Sequence, residues 1–233
     1  MDCFTAESKI GEIVAQRCSL SRVFENYQID YCCGGKKTLG EACQKKGIDP
    51  QVVLNDIKRQ LTETTDEKNW TQKSLSDLID HIQTTYHSYL VEELPKLTQL
   101  VEKVARVHGD KHPELLEIRD IYSKLQAELM VHMGKEDDLV FPAIKKIEAA
   151  QTEGTQLKQP ILELEQEHDA AGNALHKLRS LTRNYTPPEN ACNSYLALFS
   201  RLEELETSMH HHVHKENSIL FPRALAMQTN LQR

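Results

Sequence analysis

Apolar residues recur every three or four positions along four long stretches of the chain, which is the spacing of one face of an α-helix. These stretches cover about residues 74–107, 113–147, 158–182 and 188–226. The breaks between them are short and contain Gly, Pro, Asn and Thr. Four long helices joined by short loops predict an antiparallel up-down four-helix bundle.

Residues 8–61 show the same periodicity in four shorter segments, which predicts short helices ahead of the bundle. The expected N-caps are Ser8, Ser19, Thr38 and Asp49, with Pro50 at the first helical position of the last helix. A polar stretch, Thr62–Lys73, has no apolar period and is interpreted as a linker. We therefore predict an all-α protein with a small N-terminal helical domain (1–61), a linker (62–73) and a bundle (74–233).

The composition narrows the class of protein. The chain has 233 residues, of which 39% are hydrophobic and 27% charged, with a net charge of −7. This suits a packed core rather than wholesale disorder. No apolar run approaches the roughly 18 residues of a membrane span, the N-terminus lacks a signal pattern, and no basic tract dominates. We expect a cytoplasmic protein that binds neither membrane nor nucleic acid.

Five of the six cysteines lie in the first 43 residues, and two of them, Cys32 and Cys33, are adjacent. Neighbouring cysteines make a strained disulfide, and the spacing is not that of a zinc knuckle. One interpretation is a pair of small, half-buried structural thiols. The other is a reactive or metal-handling thiol site, because two glycines and two lysines follow at once and favour an exposed turn with a lowered thiol pKa.

An internal repeat is the strongest signal in the chain. Residues 132–142 (HMGKEDDLVFP) and 212–222 (HVHKENSILFP) share His, Lys, Glu, Phe and Pro in the same register. The helices upstream of the two copies carry His87 and His168, again at matching positions. The bundle is therefore predicted to consist of two copies of one helical hairpin.

The repeated residues interrupt the apolar stripes of their helices. His132 and Glu136 are four residues apart, as are His212 and Glu216, so each pair shares one helix face. The other predicted inward histidines are His87 and His168, whereas His210, His211 and His214 are expected at the surface. Buried carboxylates cost several kcal/mol unless a cation pairs with them. Because no Arg or Lys occupies the stripe positions, a metal is the expected partner.

The number of candidate ligands indicates more than one metal ion. Six side chains exceed what one tetrahedral zinc accepts. Imidazole with carboxylate suits iron, manganese or zinc, and two glutamates related by the repeat could bridge two metals with two histidines on each. Spacing alone leads only to a dinuclear site held in a bundle.

The segment IDYCCGGK (residues 29–36), followed by the two His-x-x-x-Glu…Phe-Pro copies, resembles the di-iron repair-of-iron-centres proteins, which carry a hemerythrin-like bundle. The resemblance implies two non-haem irons, with or without an oxo or hydroxo bridge. The implied terminal ligands are His87, His132, His168 and His212, and the implied bridges are Glu136 and Glu216. It also implies an iron route past Glu128 and Glu167, although ordinary surface carboxylates explain those two acids equally well.

The same resemblance implies a role in restoring iron–sulfur clusters damaged by nitric oxide or oxidants. Donation of iron to an apo or damaged cluster is the favoured hypothesis. The alternatives are reduction of nitric oxide to nitrous oxide and a non-catalytic sensor or carrier of NO or O₂. The expected partners are damaged or apo iron–sulfur proteins and the small gases, and a homodimer is left open.

Overall fold

The computed structural model describes residues 4–63, 70–150 and 156–231. The described part is helical, and its one β-bridge joins Lys9 and Thr38. The α-helices are α1 (Ile10–Gln16), α2 (Ser21–Asn26), α3 (Leu39–Lys46), α4 (Pro50–Glu63), α5 (Leu75–Ile82), α6 (Ser88–His108), α7 (Glu114–Lys135), α8 (Phe141–Glu148), α9 (Lys158–Leu181), α10 (Asn193–Lys215) and α11 (Phe221–Leu231). Three π-helical turns, Gln83–His87, Glu136–Val140 and Glu216–Leu220, join α5 to α6, α7 to α8 and α10 to α11.

The chain forms two compact units. The first contains Met1–Ile79, Lys145–Gly154 and His210–Arg233, and the second contains Asp80–Ile144 and Thr155–Met209. None of the described helices combines the length and apolarity that crossing a bilayer requires. The division into linear domains at 1–61 and 74–233 stays a prediction.

The second unit is a four-helix bundle. As residue numbers increase along one helix, the numbers of the residues they contact decrease along the neighbouring helix, which is the pattern of antiparallel packing. Between α6 and α7, with their adjoining π turns, the contacts are Leu94–Tyr122 and His87–Asp137. Between α7 and α9 they are Glu117–Lys177 and His132–Glu167, and between α6 and α10 they are Glu93–Arg201 and Lys103–Ser194. The predicted antiparallel bundle is confirmed. Its core is the apolar stripe of each helix, including Leu94, Leu125, Leu164 and Leu202, all almost fully buried.

The short N-terminal helices belong to the first unit. Thr38 caps α3 as predicted, through a reciprocal capping box with Glu41. Asp49 accepts a hydrogen bond from the Gln51 N–H at the start of α4, also as predicted. The caps proposed at Ser8 and Ser19 are wrong, because α1 begins after Lys9 and Ser19 lies within a 3₁₀ turn.

The predicted linker is partly helical. Helix α4 continues through Glu63, and residues 70–72 form a 3₁₀ turn. The carbonyl of Trp70 accepts a hydrogen bond from the Arg223 guanidinium at 3.1 Å, which ties this turn to α11 within the first unit. Residues 64–69 lie outside the described part of the chain.

Glu148 caps the N-terminus of α5 from a distant position in the sequence. Its carboxylate accepts hydrogen bonds from the backbone N–H groups of Leu75 (2.6 Å) and Ser76 (2.8 Å) and from the Ser76 hydroxyl. Partial burial acts to raise the pKa of Glu148, but these hydrogen bonds outweigh it and hold the pKa below its usual value. A helix N-terminus therefore favours the charged form here.

Replacing Glu148 by alanine is expected to lower the free energy of unfolding by about 1 kcal/mol near neutral pH, the usual cost of losing an N-cap. Because the folded-state pKa is depressed, the stabilisation is present above the unfolded pKa and is lost as the pH falls through the folded pKa. Denaturant titrations of both proteins at neutral and acidic pH test this. Lys146→Ala, at an exposed site on α8, is the control, and a gap between wild type and Glu148→Ala that persists in acid would contradict the assignment.

Candidate metal centre

In the second unit, both carboxylate oxygens of Glu136 face imidazole nitrogens. Oε1 lies 3.3 Å from His132 Nε2 and 3.9 Å from His168 Nε2, whereas Oε2 lies 3.2 Å from His87 Nε2. All four residues are at most 3% exposed. The buried core of the bundle thus collects three imidazoles around one carboxylate, with two on one side of it and one on the other.

These separations match those between ligands of a shared metal. The Nε2 atoms of His132 and His168 are 2.9 Å apart, too close for both to carry a proton. Two donor atoms at about 2.1 Å from one metal and at right angles to each other lie roughly 3 Å apart. Nitrogen and carboxylate donors together suit iron, manganese or zinc and disfavour calcium. The residues present therefore fit a transition metal.

Two of the histidines are oriented by acids on their outer nitrogen. His87 Nδ1 lies 2.9 Å from Asp137 Oδ1, and Gln83 donates to the same oxygen at 2.9 Å. His132 Nδ1 lies 2.8 Å from Glu167 Oε2. An acid on Nδ1 holds the proton there, which leaves Nε2 as a metal ligand and raises its basicity.

Asp137 and Gln83 were not predicted from the sequence. Both lie at the edge of the apolar stripe, where polar residues are usually exposed to solvent. The one signal in the sequence was the acid directly after Glu136, in the first copy of the repeat. Glu167 was predicted only as a candidate for an iron route, whereas its contact with His132 also gives it an orienting role.

The first unit contains the second His–Glu pair of the repeat. His212 and Glu216 are 1% and 0% exposed, and His212 Nε2 lies 3.0 Å from Glu216 Oε1. The same two atoms are 3.3 Å apart in His132 and Glu136. The two copies therefore share their local geometry and their burial as well as their sequence.

The π-helical turns mark the ligand candidates. Glu136 and Glu216 are each the first residue of a π turn, and His87 is the last residue of the third. The next α-helix in each repeat begins with Phe and Pro, where proline cannot donate the regular backbone hydrogen bond. Phe141 stacks on the imidazole of His87, with 5.6 Å between ring centroids and 18° between planes. Phe141 of the first Phe-Pro copy thus supports a histidine of the neighbouring helix.

Comparison with known proteins agrees with this two-part architecture. A domain of unknown function (DUF542) matches residues 6–61, and the hemerythrin HHE cation-binding domain matches residues 78–224. The iron–sulfur cluster repair protein YtfE of Escherichia coli is 38% identical over 220 residues, covering 94% of this chain and 97% of the relative. The protein of the same name from Yersinia pseudotuberculosis is 40% identical over 205 residues, covering 88% and 90%.

The chain belongs to the repair-of-iron-centres family. The resemblance inferred from the motifs is confirmed, and so is the presence of a metal-binding type of bundle. The two matched domains leave the whole of the predicted linker, residues 62–73, unmatched. The set of six ligands and the iron identity stay predictions.

In this member of the repair-of-iron-centres family, an open groove of about 620 Å³ lies between α7 and α9 and is lined by Glu128, Lys135 and Glu167. Burial acts to raise the pKa of Glu167, but hydrogen bonds from Lys135 and His132 outweigh it and hold the pKa below its usual value. Glu128 is exposed and lies 3.7 Å from Lys124. Both acids named from the sequence therefore line one groove, and one of them contacts a ligand candidate.

His214 is buried, so its predicted surface position is wrong. It is 2% exposed and packs edge-on against Tyr31, at 5.5 Å between ring centroids. Burial, reinforced by the charge of Lys215, lowers the pKa of His214 to about 3, so the ring is neutral. Lys215 is itself buried, although it lies off the apolar stripe and was not expected in the interior. The N-terminal segment covers this face of α10.

His210 and His211 agree better with the prediction, since both are partly exposed. The side chain of His211 is 38% exposed and lies 3.3 Å from the Glu25 carboxylate. Its ring also lies 3.2 Å from the Ser21 hydroxyl, so it contacts the N-terminal helices.

The prediction of an exposed thiolate at the Cys-Cys turn is also wrong in part. Cys32 is buried and Cys33 is half-buried. The hydrogen bond shared with Cys33, burial and the nearby Asp30 charge raise the pKa of the Cys32 thiol, so it is protonated in the absence of a bound cation. The five cysteines in the described residues, Cys18, Cys32, Cys33, Cys43 and Cys192, form no disulfide with one another.

Proposed function

We propose that His87, His132, Glu136, His168, His212 and Glu216 together hold two iron ions, with Glu136 and Glu216 as bridges. The observation that carries this proposal is the division of Glu136, whose two oxygens face different histidines. A carboxylate with imidazoles on both sides is suited to bridging two metals. One side has two histidines and the other has one, and the sequence repeat supplies His212 as the fourth.

We propose further that the protein donates iron to damaged or apo iron–sulfur clusters. The relatives reported above are named iron–sulfur cluster repair proteins, and this chain matches them over nearly their whole length. Imidazole-rich sites bind Fe²⁺ only moderately, which suits release. When bound, the two irons supply the cargo for an incomplete cluster and offer open positions to small gases such as NO and O₂.

The groove between α7 and α9 is our candidate for the iron route. A divalent cation that leaves a buried site loses its ligands in a medium of low dielectric, so carboxylates along the way lower the barrier. Glu167 contacts His132 on its outer side and Lys135 toward the groove. Glu128 lines the same groove and is exposed to solvent, so it is suited to receive an ion at the outer end.

We place this activity in the cytoplasm. Thiols remain reduced there, which agrees with the absence of disulfides among the described cysteines. Iron–sulfur proteins in that compartment are the proposed acceptors.

The decisive experiment loads the protein with iron, mixes it anaerobically with an apo-ferredoxin, and measures both cluster formation and iron left on the protein. We expect close to stoichiometric transfer under reducing conditions. A parallel sample with NO and reductant is assayed for nitrous oxide. Catalytic nitrous oxide production without iron transfer would favour the nitric oxide reductase. The absence of both activities would favour the non-catalytic sensor or carrier.

The iron route has its own variant in that assay. Glu128→Gln is expected to keep its iron and to slow transfer several-fold, because it removes a charge from the groove and touches no ligand candidate. Asp120→Asn, at an exposed position on α7 outside the groove, is the matched control. Equal transfer rates in both variants would return Glu128 to an ordinary surface carboxylate.

A further inference from the structure

The turn Asp30–Gly34 is organised around one carboxylate. Asp30 Oδ1 accepts a hydrogen bond from the backbone N–H of Cys32 at 3.0 Å, and Oδ2 accepts one from Gly34 at 2.9 Å. The thiol of Cys32 lies 3.1 Å from the same Oδ1. The carboxylate is therefore held beside the thiol by the backbone of its own turn.

The three donor atoms have the spacing of ligands around one small cation. The sulfurs of Cys32 and Cys33 are 3.9 Å apart, and a carboxylate oxygen of Asp30 lies within 4.8 Å of both. Two sulfurs at about 2.3 Å from one tetrahedral metal lie roughly 3.8 Å apart. The two thiols can thus bind one ion with little movement of the turn.

The glycines after the cysteines explain how the turn is held in place. A Cβ at Gly35 would lie 2.6 Å from the Tyr31 carbonyl oxygen and 3.1 Å from the Cα of Gly11, and 3.3 Å from Ser218 Oγ. Only glycine therefore allows the turn to pack directly on α1 and on the π turn Glu216–Leu220 within the first unit. Such close backbone packing supports a preorganised site better than a loose loop does.

The site is accessible from one side. Cys32 is buried, whereas Asp30 and Cys33 are partly exposed. An ion can therefore enter past Cys33 and keep one coordination position toward solvent. Two thiolates and a carboxylate are donors for a borderline divalent cation such as Zn²⁺ or Fe²⁺, and they disfavour Ca²⁺ and Mg²⁺, which require oxygen ligands.

We propose that Asp30, Cys32 and Cys33 form a second, mononuclear metal site that binds a borderline divalent cation. Binding forms two metal–sulfur bonds and one metal–oxygen bond, and the two thiol protons pass to solvent. This site goes beyond the His–Glu centre and does not depend on iron donation, because it rests on the geometry of the N-terminal turn alone.

Cobalt titration of the full-length protein under reductant tests the site. Co²⁺ stands in for zinc or iron, and thiolate ligation gives it an intense sulfur-to-cobalt charge-transfer absorption that histidine and carboxylate ligands cannot produce. We expect the final intensity of this absorption to correspond to one thiolate-bound cobalt per chain, in addition to the cobalt bound at the His–Glu centre. It should weaken strongly in Cys32→Ser and in Cys33→Ser and disappear in the double variant.

Two matched controls separate this site from the other thiols. Cys18→Ser and Cys192→Ser should keep the full absorption, although Cys192 lies 3.2 Å from His108 and could offer a thiol and an imidazole. Asp30→Asn should keep the sulfur absorption but bind cobalt about ten-fold more weakly, as expected when a carboxylate is lost at a metal site. Circular dichroism of each variant checks that the helices are intact.

Several results would overturn the proposal. These are the absence of a sulfur–cobalt absorption in the wild type, its survival in the double variant, its loss in Cys192→Ser, or an unchanged affinity in Asp30→Asn. Since cobalt bound at histidine and carboxylate is measured in the same spectra, a failure here is distinguishable from a failure of the His–Glu centre.

Discussion

Replacing Glu136 by alanine is expected to remove essentially all iron from the His–Glu centre. Each of its oxygens faces a different set of histidines, so the substitution withdraws a ligand from both proposed metal positions at once. Loss of a bridging carboxylate would also leave two metal cations close together without a negative charge between them. In a Cys32→Ser/Cys33→Ser background, which removes the proposed N-terminal site, elemental analysis after iron loading should find about two irons per chain, and close to none once Glu136 is also replaced by alanine.

The same analysis applies to the second copy of the repeat. Glu216→Ala and His132→Ala should also lose their iron, because burial and His–Glu geometry are alike in the two pairs. Asp138→Ala, two residues from Glu136 but exposed, and His211→Ala, next to His212 but partly exposed, should keep it. Full iron occupancy in Glu136→Ala or Glu216→Ala would disprove the assignment of the bridges.

The bundle and its repeat could be predicted from the sequence because both depend on local periodicity. A stripe of apolar residues every three or four positions specifies which helix face is buried, and His132 and His168 fall on that face. Their burial is confirmed. The repeat then identified His212 among four neighbouring histidines, since only one of them matches His132 in register.

Contacts between distant segments could not be predicted in the same way. His214 lies off the apolar stripe of α10, and nothing on that helix shows that Tyr31 covers it. Asp137 likewise resembles a surface acid until the packing of α6 against α7 brings His87 within 2.9 Å of it. In both cases the missing information is which element packs on the polar side of a helix.

The π-helical turns were also absent from the sequence prediction. Each adds one residue to a helical turn, and the apolar period changes too little over five residues to reveal it. Their effect on the site is nevertheless direct, because Glu136 and Glu216 each begin such a turn. The wider turn thus lies where the two proposed bridging carboxylates leave the helix, one turn after the histidines of the repeat.

Metal binding is expected to stabilise the bundle substantially. The core treats another buried acid differently: Glu206 is 1% exposed and receives a hydrogen bond from the Arg179 guanidinium at 2.8 Å. Glu136 instead faces imidazoles, which provide a full positive charge only if they are protonated. A metal ion supplies that charge, and the cost of burying the carboxylate is then offset in the holo protein.

Ligands that bind only the folded state stabilise it by mass action. At a free metal concentration 100-fold above the dissociation constant the gain is about 2.7 kcal/mol. For a chain of this size 1 kcal/mol shifts the melting midpoint by roughly 2–4 °C. Removing the metal with a chelator should therefore lower the midpoint by about 5–10 °C in calorimetry.

His132→Ala combined with Cys32→Ser and Cys33→Ser provides the control for this comparison, because the cysteine substitutions remove the proposed N-terminal site and the midpoint should then be the same with and without chelator. A chelator-sensitive midpoint in that combined variant would show that the stabilising metal binds outside both proposed sites. Equal midpoints for apo and holo wild type would contradict the centre itself. They would mean that the folded bundle buries the Glu136 carboxylate with no gain from a metal ion.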